Sequence, residues 1–173
     1  MNKKKSDEFN ERGWLHFYYG GATVPWDKFD NIKNFLFFWS LFERELCSKN
    51  ANVNRICNEI DNLVKARTLN PKEFNRIYNY FQKRYTTKGK INELFNQLRF
   101  GKSDRKVFVK TVLENDAPLI NDVLKALLII AYRLRNNLFH GTKRVELLST
   151  QIDNFKVTNE LLAKIISCKA NIV

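Results

Sequence analysis

Apolar side chains recur along most of this chain at the three- and four-residue spacing of helices that pack on one core. The longest such run follows Pro118 and carries Leu119, Ile120, Val123, Leu124, Leu127, Leu128, Ile130, Ala131 and Leu134. Asp116 precedes the run as a candidate N-cap, and Gly141 follows it as a natural stop. The spacing therefore predicts a long buried helix from about Pro118 to the residues just before Gly141.

Six further stretches carry helical spacing, and none of the chain shows the alternation typical of β-strands. The third of them has a clear start, because Asn70 can cap it, Pro71 suits its first turn and Glu73 is placed to bond back. The six predicted helices cover about residues 27–47, 52–67, 70–81, 91–98, 107–113 and 146–169. The chain is thus predicted to be all-α, a single bundle of about five to seven helices over residues 27–173.

The first 26 residues form a separate unit, predicted as a polar tail followed by an aromatic loop. Gly20, Gly21 and Pro25 favour a loop over residues 12–26. Its many aromatic side chains are expected to pack on the helical body, with stacking on RNA bases as the alternative. His16 is a second candidate for proton transfer, although nothing around it singles it out.

Composition and cysteine usage narrow the class of protein. The chain has 173 residues, of which 44% are hydrophobic and 28% charged, which is typical of a soluble globular domain. No apolar run is long enough to span a bilayer and no signal peptide is visible, so a cytoplasmic protein is expected. Cys47, Cys57 and Cys168 lack metal-ligand spacing and are predicted to be reduced and buried, with no metal or other cofactor.

The net charge of +12 favours a polyanionic partner such as RNA, DNA or an anionic membrane, with simple solubility as the alternative. From Lys83 to Lys110 nine basic residues face two acidic ones, a local balance of +7. This stretch is the best candidate for a surface that follows a phosphate backbone, and a solvated rim without a partner is the other interpretation. Its candidate RNA-binding residues include Lys102, Arg105 and Lys106.

The long apolar helix ends in a polar cluster, residues 133–141. Arg135 can grip two phosphate oxygens through its planar guanidinium, and His140 can transfer a proton near neutral pH. A purely structural interpretation is also open, since basic residues at a helix C-terminus interact favourably with its dipole and carbonyls. Residues five apart point about 140° from each other on a regular helix, so the last turn unwinds or the site is composite.

The sequence Arg135-Asn136-Asn137-Leu138-Phe139-His140 resembles the R-x4-6-H motif of the HEPN superfamily, including the polar residue after the arginine. An early aromatic helix with an acidic residue near its end, residues 34–43, is also similar to some members. The resemblance implies an all-helical, metal-independent endoribonuclease that dimerises so that two motifs meet in one cleft. It also implies a toxin or phage-defence setting, with an antitoxin or regulatory partner.

The same resemblance implies roles for individual residues. His140 would move the proton of the 2′-OH or of the leaving oxygen, Arg135 would stabilise the phosphoryl oxygens, and Asn136 would orient one of them. The products would carry 2′,3′-cyclic phosphate and 5′-OH ends. Further RNA-binding candidates beside the motif are Arg133, Asn137, Lys143 and Arg144.

Glu43 lies on an apolar stripe of the aromatic helix, four residues after Trp39. An acid at such a position seeks a cation, so we expect Glu43 to face Arg135 or His140 and orient it. An exposed bridge to Arg44 or Lys49 is the alternative.

Two other classes of function are open. One is a non-catalytic HEPN-type helical module that binds RNA, a nucleotide or a partner protein, and the other is a structural adaptor whose charge is incidental. The chain contains no GxxxxGK[ST], HExxH, GxSxG or CxxC motif, so no competing enzyme class is indicated.

Overall fold

The computed structural model describes residues 9–18, 26–139 and 149–170. Helices dominate this part of the chain, which confirms the all-α prediction. Single turns of 3₁₀-helix lie at Pro71–Phe74 and Ser149–Gln151. The eight α-helices of the described part are α1 (Glu11–Tyr18), α2 (Trp26–Leu46), α3 (Val53–Lys65), α4 (Asn75–Tyr85), α5 (Glu93–Asn96), α6 (Lys106–Leu113), α7 (Ile120–Phe139) and α8 (Ile152–Ala170).

The core is built from two pairs of antiparallel helices. In the first pair α2 packs along α8, where Phe35 lies against Phe155 with ring centroids 5.1 Å apart. One turn earlier on α2, the Asn159 side chain donates to the Asn31 carbonyl at 2.9 Å. Because lower numbers on α2 meet higher numbers on α8, the two helices run in opposite directions.

In the second pair α3 packs along α7. Near the end of α3, Asp61 accepts from the Asn121 side chain at 2.9 Å and pairs with Lys125 at 2.7 Å, at the start of α7. The start of α3 instead lies beside Tyr132. From Ala126 to Ala131 every residue of α7 is buried, so α7 is the central helix of the bundle.

Side-chain caps explain several helix starts, and one predicted cap proves wrong. The Asn52 side chain accepts from the Arg55 amide at 3.1 Å and caps α3. Asn70 likewise caps the 3₁₀ turn that leads into α4, and its side chain donates to Glu73 at 3.0 Å. The predicted cap of α7 is wrong: this helix begins at Ile120, four residues after Asp116, so Asp116 does not occupy its N-cap position.

A two-stranded hairpin stands where the sequence predicts only a basic connection. β1 (Thr86–Thr87) pairs antiparallel with β2 (Lys90–Ile91). Between them Lys88 and Gly89 both have positive φ, 52° and 73°, as a two-residue hairpin loop requires. Strands of two residues are too short to produce a visible alternation of apolar and polar positions.

The prediction of a loop from residue 12 is also wrong, because α1 occupies Glu11–Tyr18. The Asn10 side chain accepts from the Gly13 amide at 2.9 Å and so supports the first turn of this helix. The expected packing of these aromatic side chains is not made by Trp14 and Phe17, which are 49% and 83% exposed. Gly20, Gly21 and Pro25 lie outside the described residues.

Two further predictions concern buried and apolar segments. All three cysteines are free and buried, as expected from their number and spacing. Among the described helices, none combines the length and the apolar character needed to cross a membrane.

Candidate functional site

The C-terminal end of α7 carries the central residues of the predicted site. Asn136 and Asn137 are buried, and Arg135 is half-buried between the core and solvent. Nη1 of Arg135 donates to Oδ1 of Asn136 at 3.2 Å. This contact places the amide beside the guanidinium, where an orienting residue must lie. His140 lies outside the described residues, as do Gly141, Lys143 and Arg144.

Arg133 has an internal role rather than the predicted contact with RNA. Its Nη1 donates to Oδ2 of Asp104 at 2.8 Å, and the two side chains are only 13% and 7% exposed. Its Nε donates to the Leu98 carbonyl at 3.1 Å, and its Nη2 donates to the carbonyl of Arg99. All three nitrogens of the guanidinium thus donate to the segment between α5 and α6.

Asn137, one turn further along α7, also binds the residues that follow α5. Its side-chain amide donates to the carbonyls of Gln97 and Leu98, at 3.2 and 3.1 Å. Residues four apart on a helix lie on one face, so Arg133 and Asn137 together hold the segment that follows α5. Because Asn137 is 5% exposed, the structure gives it an anchoring position rather than an RNA-facing one.

We call residues 99–106 the basic loop. Oδ2 of Asp104 also accepts from the Gly101 amide at 2.6 Å, which folds the loop back on itself. Arg99 and Arg105 bracket it with φ of 51° and 53°, in the left-handed region that costs a non-glycine residue about 1 kcal/mol. Its shape is therefore held by the contacts of Asp104 with the Gly101 amide and with Arg133.

The three predicted RNA-binding residues of the basic loop all reach its surface. Lys102 is exposed. Arg105 donates to Oδ1 of Asn54 at 3.0 Å, and Lys106 donates to Oδ1 of Asn96 at 3.2 Å, yet both side chains belong to exposed residues. They remain candidates for contact with phosphates.

The basic loop and Arg135 occupy different sides of α7. Arg133 and Arg135 are two residues apart, so their side chains leave the helix about 160° from each other. Tyr132 lies between these directions, about 60° from Arg135. A ligand that contacts both the loop and Arg135 must therefore pass over the Tyr132 side of α7 or around its end.

Glu43 does not pair with Arg135, and the other expected partner, His140, lies outside the described residues. Oε1 of Glu43 accepts from the Ala51 amide at 3.3 Å, and among the described residues no ion pair joins it to Arg135. The alternative bridge to Arg44 is absent too, because Arg44 pairs with Glu45. The reason is the tight turn after α2, in which two residues with positive φ, Ser48 and Lys49, bring the following amides back over the helix end.

The buried thiols offer no nucleophile at neutral pH. Burial, followed by the charges of Glu59 and Glu43, raises the pKa of Cys47 to about 12. Burial also raises the pKa of Cys57 and Cys168 above the usual value. Across the described ranges no three His, Cys, Asp or Glu side chains come together as a possible metal site.

Sequence reasoning missed a polar cleft of about 300 Å³ beside the basic loop. Its lining comes from the start of α3, the basic loop and α7: Asn52, Val53, Asn54, Ser103, Asp104 and Tyr132. One available signal was the position of Tyr132, three residues before Arg135 and so on a neighbouring part of the same helix surface. The other contributors are about 30 and 80 residues away in sequence, and only the fold brings them together.

Comparison with known proteins finds no matching family model, no matching curated protein and no matching solved structure. The likeness to HEPN proteins therefore rests on the residues of the motif and the aromatic helix.

Proposed function

We propose that this protein is a metal-independent endoribonuclease that leaves 2′,3′-cyclic phosphate and 5′-OH ends. The observation that carries the proposal is the half-buried Arg135, held beside Asn136 at the end of the helix to which the basic loop is fastened. A fixed cation on the same helix that holds an exposed basic loop suits the binding of a phosphodiester.

The proposed reaction uses the ribose itself as the nucleophile. The 2′-OH attacks the adjacent phosphorus, the P–O5′ bond breaks, and the proton of the 2′-OH is taken up while the 5′ oxygen receives one. His140 serves this proton transfer, and Arg135 stabilises the charge on the non-bridging oxygens. Asn136 acts as a positioning residue through its hydrogen bond with Arg135. DNA lacks the attacking hydroxyl and resists cleavage.

The RNA backbone runs along the basic loop before it reaches Arg135. Lys102 and Lys106 provide exposed charge there, and the anchor formed by Arg133 and Asp104 keeps the loop against α7. Most of the affinity is electrostatic and does not depend on sequence.

A second copy of the chain completes the site, as the resemblance to HEPN proteins implies. Support comes from α2, which leaves Leu36 and Phe37 36% and 65% exposed although Phe35, Trp39 and Phe42 of the same helix are buried in the core. Unpaired apolar surface of this kind is typical of subunit contacts. The setting we propose is a toxin or phage-defence effector restrained by an antitoxin or regulatory partner.

A second candidate is a non-catalytic module that binds RNA or a partner protein. At the end of α7, Arg133 anchors the basic loop and Asn137 anchors Leu98 just before it. This observation favours a binding surface built on the loop alone.

Labelled single-stranded RNA incubated with the protein in EDTA separates the two candidates. We expect cleavage by the wild type and a loss of about a hundredfold or more in Arg135→Gln and His140→Ala. The control is Arg76→Gln, which removes an exposed guanidinium of α4 and should cleave like the wild type. Binding without cleavage supports the module, and cleavage that persists in the two site variants contradicts the nuclease.

A further inference from the structure

The cleft beside the basic loop has the donors and acceptors of a base-binding site. We propose that it binds a guanine base, carried by an RNA strand or by a free guanine nucleotide. Its volume, about 300 Å³, is at the lower end of the range for small-ligand sites and is sufficient for a purine. Val53 supplies an apolar wall, and the other wall residues are polar or aromatic.

Two amide groups at the start of α3 are left as hydrogen-bond donors. Oδ1 of Asn52 accepts from the Arg55 amide, and Oδ1 of Asn54 accepts from the Arg105 guanidinium. Each oxygen is thus engaged, and the structure gives neither NH₂ group a partner among the described residues. Two amide donors in the lining of one cleft match in number the O6 and N7 acceptors of guanine.

Asp104 supplies the complementary acceptor. Its Oδ2 is engaged twice, by Arg133 and by the Gly101 amide, while its Oδ1 accepts no hydrogen bond from the described residues. The side chain is nevertheless only 7% exposed. An ionised carboxylate oxygen can only accept, so a ligand that enters the cleft must offer a donor to Oδ1. Guanine presents two adjacent donors, N1–H and the N2 amino group, whereas adenine, cytosine and uracil present no such pair beside each other.

Tyr132 and Ser103 complete the wall. The ring of Tyr132 is half-buried and packs on Trp39 with a centroid distance of 6.2 Å, which makes it a firm surface for a base to stack on. Ser103 contributes a hydroxyl from the exposed basic loop.

The cleft also lies close to Arg135, where a base next to the cut phosphate would be bound. This part of the inference rests on the proposed nuclease function. Tyr132 and Arg135 are three residues apart on α7, so their Cβ atoms are about 5–6 Å from each other. A nucleotide whose base fills the cleft can therefore place a neighbouring phosphate at Arg135. The site would then cut RNA next to guanosine.

The test uses titration calorimetry on the full chain with the 5′-monophosphates of guanosine, adenosine, cytidine and uridine. We expect guanosine monophosphate to bind at least about tenfold more tightly than the other three, the scale of discrimination that one good bidentate contact supplies. Equal binding of all four overturns the proposal.

The decisive variant is Asn54→Asp. It keeps an oxygen for Arg105 and places an acid in the first turn of α3, where a negative charge is favourable, so folding should be preserved. It exchanges the NH₂ donor for an acceptor and should weaken binding of guanosine monophosphate about tenfold. The matched control is Asn58→Asp, which makes the same change at an exposed position one turn further along α3. Equal effects of the two substitutions contradict the proposal.

A second arm separates the two sources of the base. The affinities of short RNAs with and without a single guanosine are compared. If an RNA strand is the source of the base, both guanosine monophosphate and the guanosine-containing RNA should bind more weakly to Asn54→Asp. A free nucleotide as the ligand is indicated when only the monophosphate shows the preference. Cleavage that ignores guanosine, together with no base preference in binding, overturns the cleft and leaves the nuclease standing. Guanine binding without any RNA cleavage supports the cleft and contradicts the nuclease.

Discussion

Nη1 of Arg133 and Oδ2 of Asp104 lie 2.8 Å apart, in a buried ion pair between residues 29 positions apart in sequence. The pair joins α7 to the basic loop and so connects the helix that carries Arg135 with a strongly basic part of the chain. Both the packing of the loop on α7 and the proposed RNA-binding surface depend on this one contact.

Removal of either partner should destabilise the fold severely. Asp104→Ala leaves the guanidinium of Arg133 buried without its counter-ion, which costs about 3–5 kcal/mol in comparable sites. The free energy of unfolding from urea titration measures the loss. The control is Glu160→Gln, which breaks the exposed pair with Arg76 and should cost less than about 1 kcal/mol. Similar losses in the two variants would show that the Arg133–Asp104 pair stabilises the fold no more than an exposed ion pair does.

The same substitution should loosen the basic loop before the bundle unfolds. Arg99 and Arg105 hold left-handed backbone conformations that the anchor maintains. Without it the loop should relax and become the first site of tryptic cleavage in Asp104→Ala, whereas the wild type is cut there slowly. Equal rates of cleavage at the loop in both proteins would contradict this assignment.

Glu43 should contribute to stability and not to catalysis. Its carboxylate accepts from the Ala51 amide, so Glu43→Gln keeps an acceptor while Glu43→Ala leaves that amide without its partner. We expect Glu43→Ala to lower the free energy of unfolding by about 1–2 kcal/mol and Glu43→Gln to change it little. The cleavage rate of the folded Glu43→Gln variant should stay within about twofold of wild type. A loss of cleavage with intact stability would return Glu43 to the site.

Cys47 should make the protein less stable at alkaline pH. Its pKa is about 12 in the folded state against a usual value of 9.0, so the folded state keeps the thiol proton more tightly than the unfolded state does. Below pH 9 both states are protonated and stability is unaffected. Between pH 9 and 12 stability falls by about 1.4 kcal/mol per pH unit from this group.

Urea titrations at pH 8 and pH 10 for wild type and Cys47→Ala isolate that effect. The variant starts from lower stability because it loses buried volume, but its decrease between the two pH values should be smaller. Parallel decreases in the two proteins would mean that the Cys47 thiol does not titrate as its burial requires.

Lys102 should contribute to RNA affinity through charge alone. Lys102→Gln should weaken binding of all single-stranded RNAs to a similar degree and reduce the slope of log affinity against log salt by about 0.7–1. The control is Lys65→Gln, which removes an exposed lysine from the end of α3, beside the opposite end of α7. A slope that changes equally in both variants would place the RNA elsewhere.

Helix positions were predictable from the sequence because each long helix buries one apolar stripe, and burial imposes the spacing that α2, α3 and α7 display. The cap at Asn70 and the end of α2 near residue 47 are local as well. The prediction failed where one or two polar or turn-forming residues determined the local structure. Asn10 starts α1 despite the glycines that follow, and the Lys88–Gly89 turn closes a hairpin too short to show periodicity.

The roles of the charged residues were much less predictable. In the sequence Arg133 and Arg135 look alike, two basic residues at the end of one helix. Their side chains leave α7 in nearly opposite directions, so one meets Asp104 and the other remains near the surface. The sequence did not show that Asn54 lies beside Tyr132 in one cleft, because their proximity depends on the antiparallel packing of α3 and α7. Such contacts are set by tertiary structure and leave no local pattern.

The chemistry of the RNA ends tests the central claim most directly. An oligonucleotide that is deoxyribose throughout except for one guanosine ribose is incubated with the protein in EDTA, and the products are weighed by mass spectrometry. We predict a single cut at that ribose, with 2′,3′-cyclic phosphate and 5′-OH ends, that disappears in Arg135→Gln and His140→Ala. A cut at deoxyribose, 5′-phosphate ends, or equal cleavage by those two variants would contradict it.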